Sequence, residues 1–98
     1  MARLIRTVIE NYRVTDVIDL EQSIYPRLED AFDALKWWLA RVPESGELID
    51  DKNWLFMQDG NERVNIPALV VVYTFNHSVV ELKHLLVRIP KIPKNREV

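Results

Sequence analysis

The sequence predicts a two-layer α+β domain, in which an opening strand and one main helix pack on an antiparallel β-meander. Residues 66–90 contain two long apolar stretches separated by a short polar turn, which is the pattern of a β-hairpin. Residues 26–42 repeat apolar side chains at helical spacing, so this helix has one face suited to covering a sheet. We expect residues 1–90 to form a single domain and residues 91–98 to form a basic, flexible tail.

Composition excludes several classes of protein. The 98 residues include no cysteine, so we expect no disulfide, no thiolate zinc site and a cytoplasmic location. Charges interrupt residues 1–6, which argues against a signal peptide, and no apolar run is long enough to span a membrane. The two glycines are too few for a phosphate-binding loop, and no catalytic or metal motif is visible. We therefore expect no cofactor and no metal ion.

Charge is distributed unevenly along the chain. Residues 83–98 carry five basic side chains and one acidic one, a net of +4, so the remainder sums to −6 against a total of −2. The sequence pI near 5.6 argues against broad, non-specific binding to nucleic acid. A local contact with an anion at the basic C-terminal end stays open.

The N-terminal region fits two structures. Apolar residues recur at helical spacing within residues 3–12, yet residues 3–9 and 13–18 are also rich enough in β-branched side chains to form strands. We favour an opening strand here and leave a helix over 3–12 as the alternative. Asp19 and Gln22 have the spacing of a capping box, which predicts a short helical turn up to Ile24.

The main helix is predicted from about Pro26 to Val42 and ends at Pro43 to Gly46. Residues three or four positions apart form its apolar stripe: Leu28, Ala31, Phe32, Leu35, Trp38, Leu39 and Val42. Trp37 lies at the border of this stripe, where a role in a partner interface and a role in the flanking core fit equally well.

The second half of the chain is predicted as three strands. Residues 54–58 form the first, and Asp59-Gly60 gives a hairpin turn before Pro67 interrupts the ladder. Residues 68–75 are apolar on both faces, which predicts a strand in the middle of a sheet covered on both sides. Residues 79–89 return after the turn at 76–78.

Two histidines and a group of basic residues are the candidates for chemistry. His77 is expected in the turn and exposed. His84 shares a predicted strand face with Leu82, Leu86 and Arg88, and we expect Arg88 to lie beside it. One interpretation makes His84 a general acid or base or a phosphate contact, and the commoner alternative is a half-buried packing residue. The basic C-terminal residues could bind a phosphodiester or simply be solvated: Arg88, Lys91, Lys94 and Arg96.

The segment YPRLEDAFDALKWWLARVPESGE, a Trp-led strand and PALVVVYTFNHSVVELKHLLVRI together resemble the RelE/ParE superfamily, the toxins of bacterial type II toxin–antitoxin modules. The resemblance covers residues 25–89, and Tyr73 matches the family's recurrent strand tyrosine. It implies a RelE/ParE-like α+β fold and a cognate antitoxin partner. It also implies action on the ribosome and mRNA, as a metal-independent endoribonuclease, or on DNA gyrase.

The sequence departs from the basic pattern of the ribonuclease branch. Leu55, Phe56 and Met57 stand where lysines are expected, and Val70 stands where an arginine is usual. The catalytic residues that the resemblance implies are therefore reduced to Arg88, His84 and Lys91.

The basic residues and the tryptophans suggest further roles. Target or nucleic-acid contacts are expected at Arg63, Lys94 and Arg96, and a partner interface at Trp37 and Trp54. The alternative is a catalytically inactive protein-interaction module, which predicts a homodimer or another stable complex. A third interpretation is an unrelated small α+β protein, which a helix over residues 3–12 would favour.

Overall fold

The structure is a computed structural model that describes residues 4–89. The predicted tail at 91–98, with Lys91, Lys94 and Arg96, lies outside these residues. The described elements follow in chain order: β1 (Thr7–Glu10), α1 (Tyr12–Glu21), α2 (Leu28–Arg41), β2 (Glu47–Leu48), β3 (Trp54–Gln58), β4 (Ala68–Phe75) and β5 (Val79–Arg88). Two 3-10 turns, Pro43–Ser45 and Glu62–Val64, lie in the connections.

The five strands form one sheet in the order β1-β5-β4-β3-β2. The strands β2 to β5 pair antiparallel with their neighbours, whereas β1 pairs parallel with β5. This confirms the α+β class, the opening strand and the meander. The sequence had predicted one main helix and an antiparallel sheet, whereas the domain has two helices and a mixed sheet.

The first helix, α1, occupies a region that the sequence left open to strand. Its N-cap is Asn11, whose side chain accepts a hydrogen bond from the Arg13 backbone N–H at 2.9 Å. Val14 and Ile18, four residues apart, are buried on one face of the helix. Packing and capping therefore outweigh the β-branched composition. The capping-box prediction at Asp19 was wrong, because Asp19 lies inside α1.

The second helix, α2, buries the predicted stripe except for Trp38 and for Val42, which follows the last helical residue and is half-buried. It begins at Leu28, two residues later than predicted, and Leu28, Leu35 and Leu39 are fully buried. Trp38, which the sequence placed in the core, is 41% exposed. Its indole N–H donates to the Ser45 hydroxyl at 2.8 Å, so it packs over the end of the helix instead.

The connection between β3 and β4 is longer than the predicted Asp59-Gly60 hairpin. It runs over residues 59–67, with an isolated bridge between Asn61 and Ile66. Asn65, at φ 59°, takes the left-handed conformation within this connection. Pro67 is buried just before β4, which confirms it as a break in the ladder.

The β4–β5 hairpin turns at Asn76, whose side chain accepts from the backbone N–H groups of Ser78 and Val79 at 2.8 and 2.9 Å. A β-bulge interrupts the ladder, because Val72 pairs with His84 whereas Tyr73 pairs with Leu82. Lys83 is thus an extra residue in β5. After it, the even-numbered side chains of β5 lie on the opposite side of the sheet from those before it.

Both helices lie on one side of the sheet, which we call the inner face. Core residues come from both layers: Val14, Ile18, Leu28, Ala31, Phe32, Leu35, Leu39, Leu69, Val71, Tyr73, Val80, Leu82 and Leu85. The opposite side, which we call the outer face, is covered by no described helix. The prediction that β4 lies in a sheet covered on both sides therefore fails for the described residues 4–89.

Candidate functional site

The centre of the outer face is apolar. Its residues alternate with the buried ones along three adjacent strands: Leu55 and Met57 on β3, Val70 and Val72 on β4, and Leu86 on β5. Met57 is 63% exposed and Leu86 is 54% exposed. The centre spans three strands about 4.8 Å apart and three residues of about 3.3 Å each along β3 and β4, so its footprint is roughly 150 Å². Contiguous exposed apolar patches, rather than single exposed apolar side chains, are the ones that mark binding sites.

Charged residues border this centre on β5. Glu81 pairs with Thr74 at one end, and Arg88 pairs with Ala68 at the other. Within residues 4–89, no ion pair or side-chain hydrogen bond engages Glu81, His84 or Arg88. On β5, the outer face therefore carries an acidic side chain at one end and a basic one at the other, and neither has a partner among residues 4–89.

The bulge at Lys83 determines where the predicted catalytic residues lie. His84 and Arg88 are both exposed on the outer face, but Leu82 faces the core, so the predicted shared face with Leu82 was wrong. Leu86 lies between His84 and Arg88, whose Cα atoms are about 13 Å apart at ~3.3 Å per residue. Arg88 is thus not the immediate neighbour that the sequence analysis expected.

The predicted contact residue Arg63 lies in the 3-10 turn between β3 and β4 and is exposed. This connection meets the sheet at Ala68, the partner of Arg88, so the two arginines lie at the same end of the sheet. The remaining basic candidates, Lys91, Lys94 and Arg96, lie outside the described residues.

The two tryptophans predicted at an interface have different surroundings. Trp37 is 56% exposed on α2, and the Arg41 guanidinium lies over its ring at 4.0 Å. Trp54 packs on the inner side of the sheet, with ring centroids 5.2 Å from Phe75 and 6.5 Å from Tyr73. Core packing accounts for Trp54 without a partner, and an interface role for either tryptophan stays a prediction.

Two groups have clearly shifted pKa values, and both hold loops in place. Burial raises the pKa of the Tyr73 hydroxyl to about 12; the hydroxyl donates to the Pro43 carbonyl and accepts from the Gly46 N–H. Hydrogen bonds from Asn53 and from the Lys52 backbone lower the pKa of Asp50 to about 2. Neither side chain belongs to the outer face.

Among the described residues, no three histidine or acidic side chains are grouped to hold a metal ion. No helix within residues 4–89 has the length and apolar character needed to cross a membrane. Comparison with known proteins gives no match to a protein-family model, a curated protein or a solved structure.

Sequence reasoning missed the outer face as a site, although a signal for it was present. The two apolar faces of residues 68–75 require two covering layers, and the sequence offers helices enough for only one. The uncovered apolar face of β4 was therefore a signal of a binding surface.

Proposed function

We propose that this chain is a RelE/ParE-like protein-interaction module in the cytoplasm that binds a protein partner through its outer sheet face. The observation that carries the proposal is the uncovered apolar centre, Leu55, Met57, Val70, Val72 and Leu86, with charges at its border. Protein interfaces commonly combine such a core with a polar rim. Burial of this centre supplies the driving force for association.

The order of the elements supports the RelE/ParE part of the proposal. After α2 come the break at Pro43–Ser45, the Trp-led strand β3 and the strand β4 with Val71 and Tyr73, which continues through a hairpin into β5. This is the order on which the resemblance rests. The apolar residues of β3, where the family's ribonucleases are expected to carry lysines, favour binding over catalysis.

Site-specific photo-cross-linking in living bacteria tests the proposal. A photoreactive amino acid replaces Leu86 on the outer face or, as the matched control, the exposed Ala34 on α2. We expect a discrete cross-linked product from position 86 and none from position 34. No product from position 86, with folded protein in the cell, would contradict binding through the outer face.

A toxin that acts on translation or on DNA gyrase is the second candidate. It is favoured by His84 and Arg88, which are exposed on one face without partners among the described residues. Controlled expression without a neighbouring gene would then arrest growth, with protein synthesis falling first for an RNA target and DNA synthesis for gyrase. A nuclease would lose its toxicity in the H84A/R88A variant, whereas normal growth with abundant wild-type protein would exclude both targets.

A further inference from the structure

We propose that the occupant of the outer face is a second copy of this chain, packed face to face with β5 antiparallel to β5 of its partner. This inference rests on the proposed function, because it names the partner of the same surface. It follows from the pattern of the outer face, which complements itself under one twofold rotation.

Four pairs of neighbouring residues define rows across β5 and β4: Glu81 with Thr74, His84 with Val72, Leu86 with Val70, and Arg88 with Ala68. The bulge at Lys83 places all four β5 members on the outer face at even spacing. A twofold axis that crosses the strands between the second and third rows reverses the order of the rows. The first row then faces the fourth row of the second copy, and the second row faces its third.

This rotation places opposite charges together. Glu81 in the first row faces the second copy's Arg88 in the fourth row, and the symmetry repeats the pair at the other end. The charges that lack partners within residues 4–89 thereby gain them. A twofold axis along the strands instead leaves both charges without an opposite, so the charge pattern selects one arrangement.

The same rotation buries the apolar centre against itself. Val72 faces the second copy's Val70, and His84 faces its Leu86. On β3, Leu55 pairs with Val72 and Met57 with Val70, so Leu55 faces the second copy's Met57. Apolar residues therefore meet apolar residues along β3 and β4, as in the packing of two aligned sheets. No like charges from these rows are brought together.

Charge reversal tests the inference in the full-length chain. Sedimentation equilibrium from micromolar to millimolar concentration measures dimerisation of the wild type, E81R, R88E and E81R/R88E. Each single reversal changes two attractive pairs into two repulsive ones, so we expect about tenfold or greater weakening. The double variant restores opposite charges and should recover wild-type affinity within about threefold. Matched controls on the helices, E29R and R13E, should leave dimerisation unchanged.

The outcomes separate this inference from the proposed function. The twofold arrangement is overturned if the wild-type chain stays monomeric. It is also overturned if a dimer forms whose affinity none of the charge reversals changes. A position-86 cross-link to a different protein overturns it as well, while it leaves the interaction module standing. A product of twice the 11.6 kDa chain mass, mapped to β5 of the second copy, supports it even if a charge variant fails to fold.

Discussion

Replacing Tyr73 by phenylalanine removes one hydroxyl from a packed core and changes little else. The ring is fully buried between the two layers. Its hydroxyl donates a hydrogen bond to the Pro43 carbonyl and accepts one from the Gly46 N–H at 3.2 Å. Phenylalanine keeps the ring in place but leaves both backbone groups without this partner. Loss of such a partner costs about 1–3 kcal/mol, so we expect Y73F to lower the free energy of unfolding by this amount.

The raised pKa of Tyr73 adds a pH signature to this substitution. Burial lifts the pKa from 10.0 to about 12, and the charge of Glu44 adds to the rise. The folded chain keeps the proton after the unfolded chain has lost it, so the stabilisation is complete below pH ~10 and is lost towards pH ~12. Two pKa units correspond to at most about 2.7 kcal/mol.

Urea unfolding followed by tryptophan fluorescence measures both effects, since Trp54 lies beside Tyr73. Between pH 9 and 11.5, wild-type stability should fall more steeply than that of Y73F. Y12F is the matched control, because Tyr12 is 65% exposed and a surface change of this kind stays within about 0.5 kcal/mol. Equal pH slopes for wild type and Y73F, or equal stability at neutral pH, would refute this account of Tyr73.

Three further substitutions test the packing of the sheet. A Cβ atom at Gly46 would lie 2.5 Å from the Tyr73 hydroxyl and 2.6 Å from the Leu55 carbonyl oxygen, so G46A should cost about 1–3 kcal/mol in urea unfolding. V71A, on the inner face, should destabilise the monomer by about 2 kcal/mol, whereas V70A, on the outer face, should cost clearly less at a concentration where the chain is monomeric. Equal losses from V70A and V71A would contradict the assignment of the two faces.

The β4–β5 hairpin and α2 could be predicted because their signals are local and agree with one another. Asn76 forms the turn through its own side chain, so no distant residue decides where β4 ends. Leu28, Leu35 and Leu39 recur at helical spacing and all become fully buried. In both elements, residue preference and hydrophobic period favour the same structure.

The failures of prediction occurred where tertiary contacts decide between two local preferences. Residues 13–18 are rich in β-branched side chains, but burial of Val14 and Ile18 on one helical face makes them part of α1. Gly60 was predicted in a two-residue turn. A Cβ atom there would lie 2.4 Å from the Ile66 carbonyl oxygen, so close approach of the chain explains this glycine better than a turn does.

The bulge at Lys83 had the largest effect on the candidate site. Strict alternation from Leu82 places His84 on the same face, and one inserted residue moves His84 and Arg88 to the opposite side of the sheet. Neither Gly nor Pro marks position 83 in the sequence, so the pattern of apolar and polar residues could not locate the bulge. The exposed positions of His84 and Arg88 on the outer face therefore depend on the pairing register between β4 and β5.

The apolar outer residues of β4 connect the error in the fold prediction to the proposed dimer. A strand with one face in water normally alternates with polar residues, yet Val70 and Val72 lie on the uncovered side at its centre. The sequence-based expectation of a covered sheet fails for residues 4–89 and would hold again in the proposed dimer. On this argument, Met57 and Leu86, the most exposed residues of the apolar centre, should lose the most solvent exposure when the dimer forms, and both faces of β4 should become core.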